Sequence, residues 1–331
     1  MSSLRSIETQ GFDVIGDVHG YADKLVGLLE TMGYRAHADS YRHSSRTAVF
    51  IGDLIDRNVK IGDSDQRDVV RIVRSMVESG AARIVMGNHE FNAISWATPD
   101  PAKPGDHLRT HEGPKGIDNR KHHDQFLTEV IEGSDEHLEI VAWFRTIPLW
   151  IDLGHVRFVH ACWFEESMKV LRPHLTSDLR LTAEALSRGN RKGDEVYNAI
   201  ENVLKGPEAE LDRQYHYLDK NGIKREKGRL RWWDVDAVTL RTAIDVGGHM
   251  KSLDGGPHPG LPDTPTNIAE RFRYRDDVPV FFGHYWRTGA ASVAGRSTVC
   301  VDYSAGRGGP LVAYRWSGGA LSNSDFVSYG N

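Results

Sequence analysis

The chain has 331 residues, 39% of them hydrophobic and 26% charged, with a formal net charge of -5, a globular composition long enough for one large domain or two. That charge gives no general attraction to nucleic acid or to an anionic membrane surface, and no stretch is long and apolar enough to be a transmembrane helix. Two cysteines, Cys162 and Cys300, make no disulfide framework, and residues 1–10 lack the basic start and apolar core of a secretory signal, so the expected location is the cytoplasm.

In chain order, Phe12 to Ile15 is an apolar run that reads as a buried strand, and Gly16-Asp17-Val18-His19-Gly20 follows it directly. Ala22, Leu25, Val26, Leu29 and Met32 then recur at helical spacing until Gly33. A hydrophilic connection over 34–46 leads to a second apolar run, 48–51, and to Gly52-Asp53-Leu54-Ile55-Asp56-Arg57. Val69, Ile72, Val73 and Met76 mark a second amphipathic helix, and the run 84–86 delivers Gly87-Asn88-His89-Glu90. Strand, polar loop and helix in repetition predict an α/β protein with a largely parallel sheet and chemistry at the carboxyl ends of its strands.

Pro99, Pro101, Pro104, Gly105, Gly113, Pro114 and Gly116 predict a long irregular loop over 96–121, a candidate lid because it leaves from the third cluster. His107, His111, His122 and His123 crowd this region and read as solvated. Helical character returns over 125–131 and 137–144, and strands are expected over 149–152 and 156–160 with Gly154 at the turn between them. The charged stretch 165–275 is expected to be a mainly helical insertion over the site. Its best-marked helix is capped by Asp194, buries Val196, Ile200, Val203 and Leu204, and stops at Gly206-Pro207. Lys224, Arg225, Lys227, Arg229 and Arg231 run into Trp232 and Trp233 and read as a solvated basic face with two anchoring aromatics rather than a nucleic-acid surface. Apolar strands resume over 278–282, 298–301 and 311–314. Candidate site residues run from Asp17 to His284, so two consecutive domains would cut the site; residues 1–331 are expected to form one catalytic domain with insertions.

Carboxylates and imidazoles at the ends of buried strands cost several kcal/mol each, roughly, unless something cationic compensates them, and a pair of metal ions does so economically. Asp17 with His19 is a normal donor pair for Mn, Fe or Zn, Asp53 has two oxygens with which to bridge, and Asn88 adds a neutral amide oxygen. His160 and His284 each end an apolar strand. Two such ions clamp a phosphoryl group and generate a hydroxide nucleophile near neutral pH. The leaving oxygen then needs a proton, which His89 is placed to give, with Asp56 orienting its ring and Arg57 contacting phosphate oxygens. A cysteine phosphatase needs an arginine six positions beyond the nucleophile, where Met168 and Gly306 stand instead, and no phosphate-cradling G-x-x-x-x-G-K-[ST] loop is present.

G-D-V-H-G, G-D-L-I-D-R, G-N-H-E, V-H-A and G-H together resemble the five blocks of the calcineurin-like metallophosphoesterases, in particular the phosphoprotein phosphatase branch. The resemblance covers 12–160 and 278–315. It implies a four-layer α/β/β/α sandwich in which Asp17 and His19 hold one metal, Asn88, His160 and His284 the other, and Asp53 bridges, with His89 and Asp56 as the acid pair. The single histidine of Gly283-His284-Tyr285-Trp286 is similar to the phosphatases rather than to the nuclease and cyclic-nucleotide branches. The ending from Val301-Asp302-Tyr303 to Ala313 is similar to bacterial protein phosphatases and symmetrical diadenosine tetraphosphate hydrolases. Asn58 and Ala161-Cys162-Trp163 depart from the eukaryotic pattern, and a second phosphate-binding arginine has only Arg231 and Arg287 as candidates. The expected substrate is a phosphoprotein or a small phosphomonoester, with a dinucleoside tetraphosphate as the alternative. Trp163, Phe164, Trp232 and Trp233 are the aromatics available to stack on a base or a phosphotyrosine.

Overall fold

The computed structural model describes residues 11–38, 40–56, 65–219, 222–246 and 250–330. β1 (Phe12–Ile15) leads through the first polar loop into α1 (Ala22–Thr31), and β2 (Thr47–Phe50), α2 (Gln66–Glu78) and β3 (Ala82–Ile84) follow. β1, β2 and β3 are parallel, in the register Phe12 to Thr47 and Ala48 to Ala82. After α3 (Asn88–Trp96) come three short helices, α4 (Gly113–Lys121), α5 (Asp124–Glu129) and α6 (Asp135–Phe144), then the hairpin β4 (Trp150–Asp152) and β5 (Arg157–Val159). The insertion opens with α7 (Glu165–Leu171), α8 (Ala183–Gly189) and α9 (Glu195–Lys205) and continues through short strands between Glu208 and Asp245. The chain then adds β6 (Val280–Phe282), β7 (Thr298–Cys300), β8 (Leu311–Trp316) and β9 (Phe326–Tyr329).

Two sheets result, one in the order β9-β8-β1-β2-β3 and the other β7-β6-β5-β4. The period-2 alternation of strand side chains decides what lies between them. Phe12, Val14, Val49 and Ile51 from the first sheet meet Phe158, Phe281 and Val299 from the second in one buried cluster. Ile15, Phe50 and Ile84 point the other way, onto Leu25 and Leu28 of α1 and Val69 and Ile72 of α2. The far face of the second sheet, with Val159, Val280 and Phe282, is buried with Leu171, Ile200, Val203 and Trp232 from the insertion. This is the expected mixed α/β sandwich, and the strand ends of both sheets carry their polar loops to one edge.

Two stretches differ from the sequence reading. The connection over 34–46 folds back as an antiparallel hairpin, Arg35–His37 against Ser40–Arg42. The loop expected over 96–121 is irregular only to residue 112; Gly113–Lys121 is helical with Pro114 in its first turn. Proline breaks a helix interior but suits the first turn, where its missing N–H would have no partner anyway.

Candidate metal centre

The three clusters after β1, β2 and β3 interlock through their backbones. The amides of Val18 and His19 both donate to the Asp53 carbonyl, at 3.1 and 3.0 Å, and Gly20 N–H donates to the Leu54 carbonyl at 2.8 Å. Glu90, in the first turn of α3, accepts from the amides of Asp53 (2.9 Å), Leu54 (2.8 Å) and Gly87 (3.0 Å), which ties the second loop to the third. Gly87 leaves room for this: a Cβ there would lie 2.2 Å from the Asp53 nitrogen. Gly283 plays the same part for the second sheet, since a Cβ would stand 2.2 Å from Asp17 Oδ1. His19, Asp53, Asp56 and His284 all hold a positive φ between 49° and 70°. Left-handed backbone at non-glycine residues costs about 1 to 3 kcal/mol each, and four of the nine such residues among those described are candidate site residues.

Asp53 lies at the centre. Its Oδ1 is 3.4 Å from His160 Nε2, and its Oδ2 is 4.0 Å from His19 Nε2 and 3.9 Å from His89 Nε2. His160 Nε2 is also 3.2 Å from Asn88 Oδ1, and the His284 amide donates to Asp17 Oδ2 at 3.2 Å. Two groups of three donor atoms lie within 4.8 Å of one another: His19, Asp53 and His89, and Asp53, His160 and His284. Asp53 belongs to both, as a bridging ligand must. Asp17 belongs to neither triplet, and His89 lies beside His19 in the first.

The imidazoles are prepared as donors. His19 Nδ1 faces the Ile55 carbonyl at 3.0 Å, and His160 Nδ1 faces the Ile51 carbonyl at 2.7 Å. A carbonyl accepts only from an N–H, so Nδ1 carries a proton, and in the neutral ring Nε2 is the atom offered towards Asp53 as a donor. His89 differs, because its Nδ1 lies 3.0 Å from Asp56 Oδ2. Burial alone would raise the Asp56 carboxyl, but the imidazoles of His123 and His89 outweigh it and hold it far below the usual carboxylate range.

The charges ask for cations. Burial, then the neighbouring carboxylates of Asp302 and Asp53, push Asp17 well above the ordinary aspartate value. Asp302 is likewise pushed up by burial, and Glu90 by burial and Asp53. Asp53 alone among the four is held well down, because His160, His89 and His19 outweigh its burial. Among the described residues no lysine or arginine forms an ion pair with any of the four. Buried carboxylates clustered with imidazole nitrogens, and with no lysine or arginine paired to them among the described residues, fit a pair of metal ions.

Arg57 lies outside the described residues. The two other candidate arginines, Arg231 and Arg287, are half-buried, and Arg287 is 3.4 Å from Ser292 Oγ. Four residues near the centre escaped the sequence reading. Glu90 carried a signal, since a glutamate at the third position of a helix often reaches back to the backbone that starts it. Asp302 ends an apolar strand as the recognised ligands do, and its carboxylate accepts from the amides of Trp286 (2.7 Å) and Ser304 (2.9 Å). Arg109 donates to Asn92 Oδ1 at 2.9 Å and lies near enough to Asp56 for their charges to interact. His123 was read as solvated; its ring is buried, with Nδ1 2.9 Å from Asp56 Oδ2. His107 and His111 are half-buried too: His111 stacks on Trp96, with ring centroids 3.6 Å apart, and His107 on His111 at 3.9 Å. Only His122 of the four is exposed.

Comparison with known proteins agrees with this centre. The chain is 37% identical over 93 residues to an asymmetrical bis(5'-nucleosyl)-tetraphosphatase of Bacillus velezensis, an alignment over 28% of this chain that spans about a third of that relative's length (35%). It is 30% identical over 320 residues, covering 92% of this chain and 90% of the relative, to a symmetrical bis(5'-nucleosyl)-tetraphosphatase of Shigella dysenteriae serotype 1. A solved structure described as a putative diadenosine tetraphosphatase superposes over 97% of this chain and 95% of its own, with 17% identity and a TM-score of 0.46. The family model for calcineurin-like phosphoesterases matches residues 12–285, a span that includes every residue of both donor groups. The chain belongs to the calcineurin-like phosphoesterases.

Proposed function

We propose that the chain is a symmetrical dinucleoside tetraphosphate hydrolase: one water is consumed, the central P–O–P linkage is cut, and two nucleoside diphosphates leave. The observation that carries this reading is the end-to-end match to relatives named for that activity, against the partial match to the asymmetrical ones. Trp163, Phe164, Trp232 and Trp233, the aromatics available to stack on a base or a phosphotyrosine, are all buried and so favour neither substrate. Trp232 donates through Nε1 to the Ala161 carbonyl at 3.0 Å, and its ring lies 4.8 Å from that of Phe282.

In this reading Asp17 and His19 would hold one metal and Asn88, His160 and His284 the other, with Asp53 common to both. Such ions, Mn²⁺ foremost with Fe or Zn as alternatives, would supply positive charge against the phosphoryl oxygens and an activated water. His89 gives its Nε2 proton to the oxygen of the departing diphosphate, while Asp56 grips Nδ1 so that Nε2 faces the reaction. Arg57 and Arg109 supply cationic contacts for the polyphosphate, and the first turn of α3 adds amide N–H groups of the kind that bind phosphate at helix starts.

The test compares kcat/KM for diadenosine tetraphosphate, phosphoserine and phosphotyrosine peptides, nucleoside monophosphates and a cyclic diester, with chromatography of the nucleotide products. The expected result is that the tetraphosphate leads the peptides by about a hundredfold or more and yields only ADP. AMP and ATP in equal amounts would make the cut asymmetrical, and a phosphopeptide in the lead would overturn the reading.

A further inference from the structure

Asp56 is gripped twice. Its Oδ2 lies 3.0 Å from His89 Nδ1 and 2.9 Å from His123 Nδ1. A carboxylate oxygen has two lone pairs, and here each faces a different imidazole. Its other oxygen, Oδ1, is buried with no hydrogen-bond partner among the described residues. His89 and His123 therefore share one acceptor, with His89 on the side of the metal centre and His123 on the side of the helical segment after α3.

His123 is held as a fixed element. It is the residue that immediately precedes α5; its amide donates to the Arg120 carbonyl at 2.8 Å, and its own carbonyl accepts from Leu127 at 3.1 Å. Its ring stacks on Phe126, with centroids 5.1 Å apart at 28°, and meets Trp96 edge-on at 6.4 Å. Nε2 is buried and without a hydrogen-bond partner among the described residues. An apolar side chain would fill this Phe126-Trp96 environment without leaving a buried nitrogen unsatisfied, which costs roughly 1 to 3 kcal/mol. What the imidazole gains there is its bond to Asp56. It adds a second grip on a residue whose backbone is left-handed at φ 66° and whose amide donates to Gln66 Oε1 at 2.6 Å.

We infer that His123 is a positioning residue for the hydrolytic step: it fixes the Asp56 carboxylate from the side opposite His89, and so fixes the direction in which His89 presents Nε2. The inference rests on His89 as the proton donor. It predicts that loss of the His123 N–H lowers turnover without removing metal or weakening substrate binding. It also predicts a dependence on the leaving group, since a departing oxygen that is a poor leaving group depends more on a well-aimed proton.

The experiment uses the full chain with metal bound and two variants. His123→Leu keeps the bulk and removes the donor; His123→Asn puts an amide nitrogen where Nδ1 stands. Steady-state kinetics are compared on 4-nitrophenyl phosphate and on phenyl phosphate, a poorer leaving group, with metal content measured in parallel. His123→Leu should lose about 10- to 100-fold in kcat on phenyl phosphate and several-fold less on 4-nitrophenyl phosphate, with KM and metal content unchanged. His123→Asn should return to within roughly threefold of the parent. Full activity in His123→Leu, an equal defect in His123→Asn, an equal loss on both esters, or a loss carried by KM or by metal would each overturn the inference. His89→Ala serves as the separate control: if it remains fully active, the proton-donor reading has failed, whatever His123 does.

Discussion

Asp13 and Asp17 stand at opposite ends of β1, both buried, and they are neutralised in opposite ways. Asp13 has its cations within the chain: Arg46 Nε at 2.7 Å and Arg315 Nε at 3.1 Å from its Oδ1. Asp17 has the His284 amide, but burial, then the carboxylates of Asp302, Asp53 and Glu90, outweigh it and push its carboxyl up. The same residue type on the same strand is structural where the fold provides a guanidinium and functional where it withholds one. At the functional end the missing charge has to come from outside the polypeptide.

The sharpest way to break that contrast is at Asp53, the oxygen donor common to both ligand groups. Asp53→Asn should lose metal and fall to the assay background, and asparagine tolerates the left-handed backbone at φ 49°, so the fold should survive. Retention of two metals by that variant, measured by elemental analysis, would contradict the bridging role. Next in size is His89→Ala, expected to keep both metals and lose about 10² to 10⁴ in turnover; a metal-free product would make His89 a ligand. At the structural end, Asp13→Asn should cost about 3 to 5 kcal/mol in denaturant unfolding, because Arg46 and Arg315 lose their shared anion, while the folded fraction keeps its metal content. The smallest effect has the opposite sign. In metal-stripped protein Asp17→Asn removes a carboxylate that only crowds others, and Tm should rise by roughly 2 to 4 °C. A fall of the size seen for Asp13→Asn would show that Asp17 too is neutralised by the chain itself.

Which part of this was legible in the sequence follows from the range of the signals. The candidate donors follow apolar runs, so Asp53, His160 and His284, which the fold brings together, could be read one strand at a time, and the parallel pairing of β1 with β2 and of β2 with β3 followed from the helices between them. The Asp13 ion pairs were not legible, because Arg46 and Arg315 come to it from 33 and 302 residues away. His123 was misread for the same reason. It lies 67 residues beyond Asp56, in a segment whose prolines and polar residues look like loop, and nothing local marks it as buried. The tryptophans of the insertion were legible as anchors of a basic face, and Trp232 and Trp233 do pack against Phe282 and Tyr285 behind the second sheet.

The carboxylate of Glu90 has a consequence for how the site opens. Three amides from two loops, those of Asp53, Leu54 and Gly87, end on its two oxygens. None of them can be released to solvent alone without breaking a bond to a buried anion that the others still hold. In hydrogen exchange these three amides should therefore behave as one cooperative unit with a common opening free energy, although they lie on separate loops after different strands. Glu90→Gln, which replaces one acceptor oxygen with an N–H₂, should split that unit so that the Leu54 amide exchanges at a rate different from those of Asp53 and Gly87.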